Sequence, residues 1–519
     1  MKKRNRISLP TRVAVLLLAL LFAAGCATNP VTKKREFVLI SEEDEIAIGK
    51  EQDPKVLEEF GQFDQAKWQD YVNQVGQKLA AVSHRPELIY RFKVVDSPDL
   101  NAFALPGGYI YVTRGLLATL NSEAELATVL GHEIGHVTAR HAVEQMTKAQ
   151  TYQVLSMIGS IFVPQIRQFG QLMDILFFGI LMGYGRQAEF QSDQLGIEYA
   201  YKAGYDPKAA AGFLKTLKGM EKDAGKGGFE GFFASHPETL DRIKAAEQGA
   251  GKWLSGNGQK APDKLTEGKG TSPGVRDNLI EGRDTYLARL DGLPYGPSPK
   301  EGVVTGNVFR HKELGLEVTF PEGWEVLNGK SAVLSKEPDP EQGEKPDHKS
   351  ERNHFIQMTV DDLSKRYTPE EYARKYAGGK FKIRTGEARE VNGLKAYVGM
   401  GEGSHRKLGK IAIQYAFILK GDKVFHLIGF APPGEFKEVE GKFLKTIESF
   451  RGLSREEAEK IKPTRIEIYE VKAGETLEAI VKAHAAKGQD VKEIAKLNGL
   501  DPQKPDLKAG QKIKLIVAV

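Results

Sequence analysis

The stretch LGHEIGHVTARH, residues 130–141, sets His132, His136 and His141 around Glu133. Imidazoles and carboxylates are ordinary zinc ligands, and a zinc site that does chemistry takes three protein groups and leaves a fourth position open. Each residue turns an α-helix by about 100°, so His132 and His136, four apart, stand roughly 40° from one another, one turn above the other. Both can reach one ion. His141 lies nine positions past His132, about 180° round an unbroken helix, and is expected to face away. Zinc sites with a close third histidine have a glycine seven after the first histidine and the third histidine ten after it. Ala139 and Ala142 occupy those positions here. The third ligand is therefore expected from later in the chain. Glu133 is placed to take a proton from the zinc-bound water, whose pKa zinc lowers from about 15.7 to about 7.

The elements that must position these groups can be read around them. Ser122 and Glu125 give the S-x-x-E pattern of a capping box, which predicts the start of the helix carrying both histidines. Downstream carboxylates that could complete the site are Glu144, Asp174, Glu189, Asp193 and Glu198. Glu144 sits on the same predicted helix, about 120° from His132, and faces wrongly. Asp174 lies in an apolar run and stays open as a candidate. Glu189 and Asp193 are four apart on a second predicted helix, RQAEFQSDQLGIEYAYKAG, and share a face. One carboxylate can bind a metal while the other accepts a hydrogen bond from a ligand histidine. That pairing favours Glu189 as ligand and Asp193 as its support. NAFALPGGYIYV reads as an edge strand beside the cleft, with Asn101 and Gly107–Gly108 shaping a turn. An exposed edge can bind an extended peptide through main-chain hydrogen bonds.

The 519 residues suggest three or four domains, and 40% apolar and 28% charged content fits globular folding. Net charge is only +5 and no dense basic block follows the N-terminus, so nucleic acid is not an expected partner. Cys26 is the sole cysteine, which excludes an intrachain disulfide and a cysteine-ligated zinc. MKKRNR, a short apolar run and AAGC form a secretory signal over residues 1–25. AAGC resembles the lipobox of bacterial lipoproteins, which implies that Cys26 is acylated and anchors the chain to a membrane. Ala27 is not the aspartate that retains such proteins at an inner membrane, which favours the outer one by analogy. Residues 156–185 are the most hydrophobic part of the mature chain, yet Pro164, Arg167, Gln168 and Asp174 interrupt them. They are expected to form buried helices over the active-site helix.

The expected architecture is α+β and multidomain. A mainly helical zincin-type peptidase domain with a small edge-strand sheet spans 26–250, and a linker spans 251–277. An α+β sandwich at 278–455 weakly resembles domains of the PsbP/Mog1 type. The tail, 466–517, reads as strand, two short helices and strand, and resembles the LysM module, which binds N-acetylglucosamine glycans. Gly474, Thr476, Leu477, Ile480, Leu497, Asn498, Leu507, Gly510 and Ile513 carry that resemblance.

NPVTKKREFVLISEEDEIAIGKE, NAFALPGGYIYVTRGLL, LGHEIGHVTARH, GRQAEFQSDQLGIEYAYKAGYDP and SHPETLDRI together resemble a family of zinc metallopeptidases. It includes the CAAX prenyl protease, the heat-shock inner-membrane protease and periplasmic peptidases of outer-membrane assembly. The resemblance implies one zinc per chain held by His132, His136 and Glu189, with Glu133 as base and Asp193 supporting. It also implies that His141 is not a ligand, and that His236 can approach the zinc and fill its open position, either to autoinhibit the site or to act in catalysis by stabilising the oxyanion. Gly185 and Ser192 depart from the family's serine and alanine. The expected function is a lipid-anchored, periplasm-facing endopeptidase acting on polypeptides of the cell envelope, including misassembled ones, with peptidoglycan as a further partner through the tail. The rival expectation is a non-proteolytic envelope scaffold with a structural metal.

Overall fold

The computed structural model describes residues 26–149, 183–220, 236, 239–256, 278–297, 301–329, 332–338, 353–378, 380–405, 408–461, 464–486 and 489–518. The signal sequence, Asp174, nearly all of the apolar stretch 156–185 and most of the expected linker lie outside the described residues. The chain divides into two compact units, one of residues 1–295 and 465–517, the other essentially of 296–464.

In the first unit, β1 (Cys26–Thr28) pairs antiparallel with β2 (Arg35–Phe37). Helix α1 (Glu42–Phe60) begins on a capping box between Ser41 and Asp44. In α2 (Ala66–Ala80) the residues Trp68, Tyr71, Val72, Val75 and Leu79 recur at helical spacing and are buried. Strands β3 (Arg91–Val95), β4 (Ala102–Leu105) and β5 (Tyr109–Thr113) form a sheet in the order β3-β5-β4, with β4 at one edge. Gly107 and Gly108, both at positive φ, turn β4 back along β5. A Cβ at Gly107 would meet the Ile46 backbone at 2.7 Å, so glycine is needed for space as well as for conformation. Among the described residues there follow helices α3 (Arg114–Thr119), α4 (Glu123–Thr138), α5 (Arg186–Lys202), α6 (Ala209–Met220) and α7 (Thr239–Leu254), with residues 141–149 also helical after α4.

The stretch just after residue 278 belongs to this unit rather than to the sandwich expected there. Tyr286, Leu287 and Leu290 of α8 (Arg283–Leu290) enter its core, and the Tyr286 hydroxyl donates to the Leu117 carbonyl. β6 (Pro294–Tyr295) follows.

The second unit is antiparallel in its main sheet. Strands β7 (Val303–Thr305), β8 (Val308–His311) and β9 (Leu316–Thr319) form one sheet, joined at its edge by a strand given below. β10 (Glu325–Asn328), β11 (Val333–Lys336), β12 (Phe355–Asp362), β13 (Lys382–Val391), β14 (Leu394–His405), β15 (Gly409–Lys420) and β16 (Lys423–Ala431) form a seven-stranded sheet in the order β10-β11-β12-β16-β15-β14-β13. Helix α9 (Pro369–Ala377) buries Tyr372 and Ala373, and α10 (Phe436–Ser449) buries Val439, Phe443 and Ile447 in the core this sheet shares with β9. β17 (Arg451–Gly452) closes the smaller sheet beside β9, and the short helix α11 (Arg455–Glu459) ends the unit.

The tail returns to the first unit. β18 (Thr464–Glu470), α12 (Leu477–His484), α13 (Val491–Leu497) and β19 (Lys512–Ala518) give the strand-helix-helix-strand order expected for residues 466–517. The module does not stand apart. β6 extends its sheet in the order β19-β18-β6, and Ile466, Leu477, Ile480, Ile494, Ile513 and Leu515 share one apolar core with α2, α3 and α4.

Candidate metal centre

Helix α4 begins where the S-x-x-E pattern places it. Ser122 Oγ accepts from the Glu125 N–H at 3.1 Å, while the Glu125 carboxylate reaches one residue further back, to the Asn121 N–H at 2.6 Å. Helix α5 lies directly against it. A Cβ at Gly196 would meet His132 N and Thr128 O at 2.9 Å, and one at Gly131 would meet the Gly196 backbone at 3.0 Å. These two glycines let the helix backbones touch, which brings residues 132 and 136 of α4 against residues 189 and 193 of α5.

All four meet in a buried cluster. His132 Nε2 and His136 Nε2 are 2.9 Å apart, and the Glu189 carboxylate lies 3.5 Å from the first and 3.4 Å from the second. Ligand atoms of His132, His136, Glu189 and His236 all fall within 4.8 Å of one another. Tetrahedral zinc with bonds of ~2.0–2.1 Å spaces its ligand atoms by about 3.3 Å, so the cluster has the size of one ion's coordination shell.

Proton placement shows what the two imidazoles lack. His132 Nδ1 is 3.0 Å from Asp193 Oδ1, a carboxylate oxygen that only accepts, so Nδ1 carries a proton and Nε2 is the nitrogen turned toward the cluster. His136 Nδ1 is likewise engaged, 2.9 Å from His141 Nδ1. Glu189 Oε1, fully buried, has no hydrogen-bond partner among the described residues. Two nitrogens and an orphaned carboxylate oxygen thus face the same point, a donor set that suits zinc. Burial works against a charge on His132, yet Asp193 and Glu189 push its pKa up to about 10. The field that draws a proton there would draw a dication as well.

The carboxylates are held ionised. Burial opposes the charge on Glu189, but His236, His132 and His136 keep its pKa well below the usual carboxylate range. Asp193 is also held low against burial, by Arg242 and then His132. Arg242, from α7, is the residue that sequence reasoning missed. Its Nε and Nη2 each sit 2.7 Å from an Asp193 oxygen, and Nη1 lies 3.0 Å from Glu189 Oε2. The signal was the need for a counter-charge beside two buried carboxylates, and SHPETLDRI contains one.

Glu133 faces the same space. Burial raises its carboxyl pKa above the usual range, against the pull of His236 and His132. His236, from the segment preceding α7, is buried with Nδ1 2.8 Å from Glu189 Oε2 and Nε2 3.8 Å from Glu133 Oε1. The same Nε2 lies 3.5 Å from the carbonyl of Ala102, on edge strand β4. Tyr184 stacks on His136, with centroids 4.1 Å apart and planes at 22°.

His141 does not point away as an unbroken helix would require. The helix stops at Thr138, Arg140 takes a left-handed φ of 59°, and the next helical turn starts at His141. This swings its ring beside His136, on the Nδ1 side, away from the ligand atoms. Glu144 is exposed and pairs with Lys148. Gly185 is the N-cap of α5 and supplies no side-chain cap, so its departure from serine removes a cap without touching the site.

A model of the family described as Peptidase family M48 matches residues 66–250, and one described as LysM domain matches residues 469–515. The chain is 30% identical over 229 residues to the mitochondrial metalloendopeptidase OMA1 of Schizosaccharomyces pombe, covering 43% of this chain and 65% of that one. It is 35% identical over 169 residues to the Arabidopsis thaliana protein of the same name, 33% of each chain. It is 28% identical over 157 residues to the beta-barrel assembly-enhancing protease of Escherichia coli, 28% of this chain and 32% of that one. The matches thus span at most two thirds of these relatives. Among solved structures, cyanobacterial PsbP from Synechocystis shares 13% identity over 29% of this chain and 95% of its own, with a TM-score of 0.22, too low to carry an argument.

Proposed function

We propose that this chain, which carries a family M48 peptidase domain over residues 66–250, is a zinc-dependent endopeptidase. The observation that carries the reading is the pair of Nε2 atoms 2.9 Å apart with a Glu189 oxygen that has no hydrogen-bond partner among the described residues beside them, all next to Glu133. His132, His136 and Glu189 would hold the ion. When bound, zinc supplies Lewis acidity and makes water acidic enough to ionise near neutral pH.

The chain's own groups do the rest. The Glu133 carboxylate takes the proton of the attacking water as its oxygen bonds to the peptide carbonyl carbon. It then delivers that proton to the leaving amine as the C–N bond breaks. Asp193 holds His132 by Nδ1, and Arg242 holds Asp193. Strand β4 forms one edge of its sheet, but all four of its residues are buried and His236 lies against the Ala102 carbonyl, so an extended substrate would have to displace that cover before pairing there.

His236 stands where that substrate would have to enter, between Glu189, Glu133 and the Ala102 carbonyl. We read it as a plug. The same observation favours a second reading, in which His236 is a permanent fourth ligand of a structural metal in a non-proteolytic scaffold, because structural zinc is closed by four protein groups.

The substrate class we propose is envelope polypeptides, including misassembled ones, with Cys26 lipidated, the enzyme facing the periplasm and an outer-membrane address. The relatives include a protease named for β-barrel assembly. The LysM-like tail would add contact with peptidoglycan. The test is zinc content and cleavage of an unfolded protein such as casein. About one zinc per chain is expected, with cleavage lost on chelation and restored by zinc. Cleavage indifferent to chelator would end the reading.

A further inference from the structure

We infer that His141 is a positioning residue that, with Gln191, fixes His136 in the tautomer whose Nε2 can bind the metal. This rests on the reading of His136 as a ligand. Two Nδ1 atoms 2.9 Å apart, on His136 and His141, need one proton between them. Its owner follows from the other end of the chain. His141 Nε2 lies 3.1 Å from Gln191 Oε1, a carbonyl oxygen that can only accept. His141 Nε2 must therefore carry a proton. With its Nε2 proton given to Gln191, His141 faces His136 with Nδ1 as an acceptor. The proton between the rings then belongs to His136 Nδ1, and His136 Nε2 is left as a lone pair toward His132 and Glu189.

Three further features give the arrangement its rigidity. The break at Arg140 is what allows a residue five past His136 to return to it. The His136 and His141 rings meet edge to face, with centroids 5.0 Å apart, and Tyr184 stacks on the His136 ring at 4.1 Å. Ser192 Oγ approaches His141 Nδ1 at 3.4 Å, near the shared proton. Gln191 and Glu189 belong to the same helix, so α5 supplies both a candidate ligand and the group that orders another ligand's protons. His132 gets the same service from Asp193, also on α5. The two histidines thus have different supports, a carboxylate for His132 and a neutral ring for His136.

The experiment uses the full-length chain and zinc alone, with the dissociation constant measured by chelator competition and the His136 tautomer by long-range ¹H–¹⁵N spectra of histidine-labelled protein. His141→Leu removes the acceptor. His141→Asn puts Oδ1 where Nδ1 was and keeps it. Loss of such a support costs about 10- to 100-fold in metal affinity. We expect that loss in His141→Leu, with His136 no longer held as the Nδ1–H form, affinity within about threefold of wild type in His141→Asn, and an intermediate loss in Gln191→Leu. Unchanged affinity and tautomer in His141→Leu would overturn the inference. So would equal losses in the Asn and Leu variants, which would mean packing rather than acceptance. Should His141→Leu fail to fold, His141→Asn and Gln191→Leu decide the matter by the same criterion. A wild-type chain that binds no zinc would instead remove the metallopeptidase reading itself.

Discussion

His132, Glu133 and His136 were legible because helical spacing alone places two imidazoles on one face. Arg242 was not, because no spacing rule says that α7 folds back onto α5. Its importance is electrostatic. Asp193 and Glu189 are buried carboxylates that share its guanidinium. Arg242→Gln should cost about 3–5 kcal/mol of stability, the usual price of leaving a buried charge unpaired. Chemical denaturation of the zinc-free chain checks this, and a loss below 1 kcal/mol would show that the carboxylates are compensated elsewhere. His236 yields a prediction about rate. Removing the plug by His236→Ala should raise cleavage of an unfolded substrate while zinc content stays near one per chain. A fall in cleavage with zinc retained would make His236 a participant in the reaction, and loss of zinc would favour the structural-metal scaffold.

At the scale of elements, the centre exists because α4 and α5 touch. Both helices were readable from apolar periodicity and from the S-x-x-E start. Their close approach was not, because Gly131 and Gly196 look like weak points in helices until the neighbouring backbone is seen. Gly196→Val should push α5 off α4, since its Cβ would face His132 N and Thr128 O at 2.9 Å, backbone atoms that cannot step aside. Overpacking of this kind costs about 1–3 kcal/mol, and Glu189 would move away from both imidazoles. The expected result is a folded chain by circular dichroism with zinc binding weakened by an order of magnitude or so; unaltered zinc affinity would mean that the helices can separate elsewhere. The break after Thr138 was also hidden. Thr-Ala-Arg-His contains neither glycine nor proline, the residues that announce such a turn, so an unbroken helix was the natural reading for His141.

For the whole molecule, the order of elements in the tail was readable and its docking was not. KIKLIVA looks like an ordinary strand with one wet face, but residues 513–517 are all buried. Lys514 explains why a lysine survives there. Its Nζ donates to the carbonyls of Ala118, Thr119 and Leu120 at 2.9, 2.8 and 3.0 Å, the C-terminal end of α3, where a helix favours a cation. The tail therefore closes the first unit's own core, just ahead of the turn that starts α4. Each buried Leu or Ile is worth about 1.5–3 kcal/mol, and a domain's net stability is only about 5–15 kcal/mol. Deleting residues 465–519 removes at least six such side chains from the shared core and should leave the rest of the first unit unfolded or aggregated. A truncated chain that melts cooperatively near the full-length temperature would show that the tail is dispensable for folding.

The central claim is that Glu133 works as a base beside an ion it does not hold. Glu133→Gln keeps the size and most of the hydrogen bonding of the side chain but cannot take a proton. Zinc content and casein cleavage measured on the same purified sample test it directly. We predict zinc equal to wild type and cleavage reduced by about 10²-fold or more, the range general base catalysis supplies. Wild-type cleavage by that variant would contradict the account.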